Sequence, residues 1–199
     1  MAKRIVDIAT SLCALALLYP LMIAISIVIR SESPGPVVFR QRRAGWRGRP
    51  FVMLKFRTMR TDVDPYGRSP TVGDDPRLTR TGKWLRETSL DELPQLFNVL
   101  NGTMSLVGPR PLYERQAKLW DSRQRHRLDV RPGVTGWAQV CGRGEVPLEE
   151  KIELDLWYVE RRSMWLDLKI LCMTVKNALK GAEGIYESQY SLRDKRERI

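Results

Sequence analysis

The sequence predicts an α+β domain, mostly α with a few short β-strands, attached to an apolar N-terminal membrane segment. Three observations predict it. No charged residue occurs from Ile8 to Ile29. Apolar residues later in the chain recur at helical spacing, as with Leu93, Leu96, Phe97 and Leu100. Two short runs, 37–40 and 51–56, flank a Gly-containing turn in the manner of strands.

The first element is the apolar segment. A bilayer core takes about 20 residues, and Ile8–Ile29 supplies that length. A secretory signal has a shorter apolar run of roughly 7–15 residues, so the segment reads as a retained anchor. Pro20 sits near its middle and has no amide proton, so a membrane kink is expected there. The arms 8–19 and 21–29 each reach roughly halfway through a core of about 30 Å. Lys3 and Arg4 precede the segment, and Arg30, Arg40, Arg42, Arg43, Arg47 and Arg49 follow it. Basic flanks favour the cytoplasmic side. A re-entrant hairpin satisfies both flanks, whereas a kinked span leaves one outside. The residues alone leave both topologies open. The expected organisation is a membrane segment at 1–30, a cytoplasmic domain at 31–180 and a polar tail at 181–199.

Ser31–Pro36 is a turn-rich break. Strands follow at Val37–Arg40 and Phe51–Phe56, joined by RRAGWRGRP. Thr61–Arg77 has no apolar period and reads as a surface loop, with an active-site lid as the alternative. A short helix is expected at Leu78–Arg86 and another at Asp91–Leu100, the latter ended by a left-handed cap at Asn101-Gly102. Pro111–Leu128 reads as a polar helix. Arg131–Gln139 is punctuated by Gly and Pro and cannot be one long helix. Pro147–Tyr158 and Trp165–Leu179 are two further helices, the second apolar over a wide arc. Trp157, Tyr158 and Trp165, with Arg161 and Arg162, form either an interfacial belt or ordinary core aromatics.

Composition narrows the chemistry. The 199 residues carry 34 Lys+Arg against 23 Asp+Glu, a net charge of +11, so an anionic partner is expected. The 1 His, His126, lies in a charged run and reads as a solvated side chain. It leaves no material for a His-rich zinc site. The 3 Cys have no CxxC spacing, which points away from a disulfide scaffold. Gly-rich phosphate loops and nucleophile-elbow motifs are absent. Bound phosphates must therefore meet side-chain cations and a metal. Most of the basic residues are arginines, whose planar fork matches phosphate oxygens.

Asp91-Glu92 is the most informative pair. Ser89 followed by Glu92 fits a capping box at the start of the expected helix. Two adjacent carboxylates held there could instead bind Mg²⁺, or one could act as a nucleophile. Arg110 lies between two prolines in GPRP, which stiffen its backbone, and Lys55 and Arg57 lie on a strand in KFRTM.

KFRTM (55–59), LDELPQLFNVLNGTMSLVGPRPL (90–112), RPGVTGWAQV (131–140) and LDLWYVERRSMWLDLKIL (154–171) occur in one chain, behind an apolar segment with a central proline. Together they resemble the bacterial sugar transferases known as monotopic phosphoglycosyl transferases, in their minimal catalytic form, over about residues 3–180. One position departs: relatives often carry serine before the membrane proline, and here it is Tyr19.

The resemblance implies a re-entrant membrane segment and a catalytic domain on the cytoplasmic face of the bacterial inner membrane. It implies transfer of a phosphosugar from a UDP-sugar to undecaprenyl phosphate, releasing UMP, with Mg²⁺ as cofactor. Carried over, Asp91 is the nucleophile and Glu92 its partner, both near the metal. Lys55, Arg86 and Arg110 map to phosphate-binding positions, as do Asp155 and Asp167. The implied partners are the two substrates and membrane lipids. A homo-oligomer is compatible with this reading, and the sugar is left open. The competing reading is a non-enzymatic membrane-tethered binder or scaffold. Nucleic acid is not an expected partner, because no basic-aromatic stacking motif accompanies the charge.

Overall fold

The computed structural model describes residues 2–64, 67, 70, 73–142 and 146–179. Part of the expected lid at 61–77 and the expected tail at 181–199 lie outside the described residues.

The N-terminal segment forms α1, Ala2–Glu32. It is the one helix among the described residues long and apolar enough to cross a membrane. The expected break at Pro20 does not divide it: α1 runs unbroken with Pro20 inside. Its buried residues, Asp7, Ser11, Leu15, Met22, Ile25 and Ile29, form one stripe that continues past Pro20 on both sides. That long seam of packing offsets the hydrogen bond which proline forfeits. The outward side exposes Leu17, Tyr19, Ile23 and Ile27.

Both ends of α1 are tied to the domain. Near the start, Arg4 donates to the carbonyls of Val99 and Leu100 at 2.6 and 2.9 Å. At the end, Glu32 accepts from the backbone N–H groups of Arg80 and Thr81 at 2.7 and 3.0 Å. Those donors open α2, Arg80–Glu87, whose first turn otherwise leaves N–H groups unpaired. The buried Arg57 guanidinium adds bonds to Ser33 O and Pro34 O, at 2.7 and 2.6 Å.

The expected strands pair as an antiparallel hairpin, β1 (Val38–Ala44) with β2 (Pro50–Phe56), in register from Val38↔Phe56 to Ala44↔Pro50. β1 runs four residues beyond its expected end. Arg42 pairs with Glu114, and Arg43 lies 3.7 Å over the Tyr113 ring, so its basic residues find partners there. α3, Gln95–Leu100, is clamped to β2 through buried Asn98. The Asn98 amide accepts from Leu54 N at 3.0 Å and donates to Val52 O at 2.7 Å. Gly102, at φ 85, supplies the expected left-handed ending.

A parallel pair that the sequence did not disclose follows: β3 (Ser105–Val107) and β4 (Gly133–Thr135). The two chains approach closely beyond the ladder. A Cβ on Gly133 would lie 2.1 Å from Gly108 N, so glycine is required there.

The expected helix at Pro111–Leu128 is replaced by a single turn, α4 (Glu114–Ala117), and a 3-10 turn at Gln124–Asp129. The segment has no apolar stripe to bury, and short polar helices are marginal without one. α5 (Trp137–Gly142), α6 (Leu148–Arg161) and α7 (Met164–Leu179) complete the fold. The aromatic belt does not form as one feature. Tyr158 is 1% exposed and Trp165 77%, while Trp157 stacks on Trp137 at 4.9 Å between centroids. Leu85, Val99, Met104, Val107 and Ile170 lie at the centre of the core.

Candidate active site

Asp91 and Glu92 lie on a 3-10 turn, Leu90–Glu92, just ahead of α3. The expected capping box is absent. Ser89 takes left-handed backbone (φ 59) and its side chain makes no cap bond, whereas an N-cap residue needs extended backbone. The Glu92 carboxylate is committed elsewhere. Its Oε1 accepts from Lys55 Nζ at 2.6 Å and from Arg110 Nη2 at 3.0 Å. Lys55 Nζ also stands 3.5 Å from Asp91 Oδ2.

Three elements therefore meet at one point. β2 brings Lys55, the 3-10 turn brings the two carboxylates, and the chain just beyond β3 brings Arg110. The Asn98 clamp fixes the first two relative to each other. Asp91 is 7% exposed, whereas the Arg110 side chain is 46% exposed and can meet a ligand. Arg86 donates to Thr58 Oγ1 at 2.9 Å, and its positive charge acts on Asp91.

The two carboxylates titrate apart. Burial raises Asp91 above the usual aspartate range, the Lys55 charge opposes this, and the Glu92 charge adds to it. Burial acts on Glu92 in the same direction, but Arg110 and Lys55 outweigh it and hold its pKa at about 2. Glu92 is thus an anion at neutral pH, engaged by two cations. Asp91 is the more basic carboxylate and the less engaged, which suits a nucleophile or proton acceptor.

This division gives a pH prediction. Activity needing ionised Asp91 should rise with pH through a pKa above 3.8, the ordinary aspartate value. Glu92→Gln removes the negative neighbour and leaves Lys55 and Arg110 beside Asp91, so the acid limb should move to lower pH. A limb that stays in place or moves upward in kcat/KM profiles would separate it from Asp91.

Two further site residues inferred from the resemblance make their side-chain bonds outside the Lys55–Glu92–Arg110 cluster. Asp155 is buried on α6 and pairs with Arg127, whose Nε and Nη2 reach its Oδ2 at 3.0 and 2.5 Å. Arg127 Nη2 also donates to the Arg110 carbonyl at 3.1 Å, so this pair lies behind the site. Asp167 on α7 accepts from Lys3 Nζ at 2.5 Å and from Tyr158 Oη at 2.6 Å, tying α7 to α1 and α6. His126 is exposed and pairs with Asp129, as a solvated side chain would. Arg127 escaped sequence reasoning because one arginine among many carries no signal of burial.

No cluster of three or more metal-ligating side chains occurs among the described residues. Mg²⁺ needs none, since it is held by one or two carboxylates together with substrate phosphates and waters. Asp91 and Glu92 supply those oxygen donors, so the residues fit the ion.

A family model described as bacterial sugar transferase matches residues 1–181. An uncharacterized sugar transferase EpsL of Bacillus subtilis is 44% identical over 94% of this chain and 92% of its own length. A UDP-glucose:undecaprenyl-phosphate glucose-1-phosphate transferase of Xanthomonas campestris pv. campestris is 46% identical over 89% of this chain. A UDP-N-acetylgalactosamine-undecaprenyl-phosphate N-acetylgalactosaminephosphotransferase of Aeromonas hydrophila is 41% identical over 90% of it. The chain spans only 39% and 44% of the lengths of these last two relatives.

Proposed function

The chain belongs to the bacterial sugar transferase family, and on that premise we propose that it transfers a phosphosugar from a UDP-sugar to undecaprenyl phosphate, through a covalent intermediate on Asp91. The observation that carries this reading is the divided dyad: Glu92 held by Lys55 and Arg110, with the more basic Asp91 beside it.

An Asp91 carboxylate oxygen attacks the sugar-bearing phosphorus. The bond between that phosphorus and the bridging oxygen breaks, and UMP leaves with the electron pair. A phosphate oxygen of the lipid then attacks the same phosphorus and releases Asp91. In this reading Lys55 and Arg110, gathered at the dyad, stabilise the negative charge that builds on the transferring and leaving phosphates, which is the stabilisation such reactions depend on. Arg86 adds a third positive charge acting on Asp91. Mg²⁺ bound at the dyad would supply further neutralisation of the diphosphate.

The relatives' names specify glucose in one case and N-acetylgalactosamine in another, so the sugar is a matter for measurement. Purified protein is screened across UDP-sugars with undecaprenyl phosphate and Mg²⁺, and UMP is measured. Release from at least one donor is expected. No release from any donor would sink the reaction.

The membrane topology is part of this proposal: α1 enters and leaves the membrane by the cytoplasmic face, in the re-entrant sense. A straight helix of its length would reach about 45 Å, enough to separate its ends across a bilayer. Both of its ends bond to the same domain, through Arg4 and Glu32, and a bend at Pro20 within the continuous helix is what this reading requires to keep them on one face. A cysteine placed at the N-terminus should react with an impermeant thiol reagent only from the cytoplasmic side. Labelling from outside would establish a span.

A further inference from the structure

Asp7 is a carboxylate at the very edge of the uncharged segment, yet it is 4% exposed. Burying a carboxylate is costly unless it is well bonded. Asp7 accepts from Ser105 Oγ at 2.8 Å and from Leu106 N at 3.1 Å, both on β3. The geometry of β3 explains the second bond. Ser105 and Gly108 direct their N–H groups to the β4 side, to Pro132 O and Thr135 O. Leu106, between them, directs its N–H to the other side, to Asp7, where β3 has no partner strand among the described residues. A buried N–H there requires an acceptor, and the Asp7 carboxylate stands in for the missing strand.

β3 runs through Gly108 and Pro109 directly to Arg110. One turn earlier on α1, Arg4 holds the carbonyls that end α3, and α3 follows the dyad. A single stretch of the membrane helix thus holds both arms of the site, and the Arg110–Glu92 bond closes the gap between them.

We propose that Asp7 is a positioning residue that acts through β3 to hold Arg110 against Glu92, coupling the seating of α1 to the catalytic geometry. The inference rests on the transferase reading. It is tested in the full-length protein in detergent micelles or membranes, with an active UDP-sugar from the screen.

Asp7→Leu removes the acceptor at similar size and should lower kcat about 10-fold or more, with KM for the UDP-sugar changing less than about 3-fold. Asp7→Asn keeps one acceptor oxygen for Leu106 N and should restore most of the loss. In an Arg110→Lys background, Asp7→Leu should cost less than about 3-fold, because the group it positions is already altered. An equal loss in both backgrounds would mean a general structural role and overturn the proposal, as would unchanged kcat in Asp7→Leu. Hydrogen exchange of segment 104–110 keeps the two readings separate. Faster exchange there in Asp7→Leu supports the link even if the wild-type protein releases no UMP, in which case the reaction alone falls. Unchanged exchange overturns the link whatever the activity.

Discussion

Asp91→Asn is expected to lower UMP release by about 1,000-fold or more, since loss of a covalent nucleophile has effects of that order or larger. An amide is a poor nucleophile, and no neighbour can take its place. Among the described residues the carboxylate beside it is Glu92, which is engaged by Lys55 and Arg110 with its pKa held at about 2. The variant should fold. Burial raises the pKa of Asp91, so the unfolded protein loses that proton more readily, and the ionised group opposes folding as pH rises through its folded pKa. The neutral amide removes that opposition and leaves the Lys55–Glu92 pair in place. Thermal unfolding at neutral pH should therefore be unchanged or slightly later. Intact mass should show a phosphosugar adduct on the wild-type protein when acceptor lipid is withheld, and none on the variant. Near-normal turnover in Asp91→Asn would refute the covalent mechanism.

Asp155→Asn is expected to cost about 3–5 kcal/mol of stability, the usual result of leaving one partner of a buried ion pair uncompensated. Its partner Arg127 is buried with it, and they bond through two guanidinium nitrogens. A domain's total stability is about 5–15 kcal/mol, so the variant approaches unfolding. Denaturant titration in detergent micelles measures the loss, and a value under about 1 kcal/mol would show that the pair is not a strut. Replacing both partners, with Arg127→Met and Asp155→Leu, should recover most of the stability, because well-packed apolar groups substitute for buried pairs. The double variant also tests the role of Asp155 inferred from the resemblance. If Asp155 binds substrate, KM stays raised after stability returns. If it supports Arg110 through Arg127, kcat stays low with KM little changed, because Arg127→Met removes the N–H that holds the Arg110 carbonyl.

Much of the local structure was legible. The strands expected at 37–40 and 51–56, the Gly102 ending, and the helices expected at 147–158 and 165–179 follow from apolar period and turn residues, while the helix expected from Asp91 begins only at Gln95, behind a 3-10 turn. Those signals are local and survive in a single sequence. The helix expected at 111–128 failed for the opposite reason: charge and length mimic a helix, but nothing buries it. β3 and β4 are three residues each, too short to carry an alternating pattern, and their pairing joins positions far apart in the chain. Ser89 followed by Glu92 matched a capping box by spacing. It failed because two cations from distant elements captured the carboxylate.

The sequence by itself determined an apolar segment flanked by arginines, an α+β domain behind it, an acidic pair with basic residues available for phosphate, and a family resemblance. Only the tertiary structure decided which cations meet the pair. Lys55, Arg110 and Glu92 come from three separate elements, and a contact between them costs nothing in sequence pattern that could be read. It also decided that Asp155 stands behind the site with Arg127, and that Asp167 ties α7 to α1. Above all it separated Asp91 from Glu92. Two adjacent carboxylates are equivalent on paper, and they differ once burial raises one while two cations lower the other.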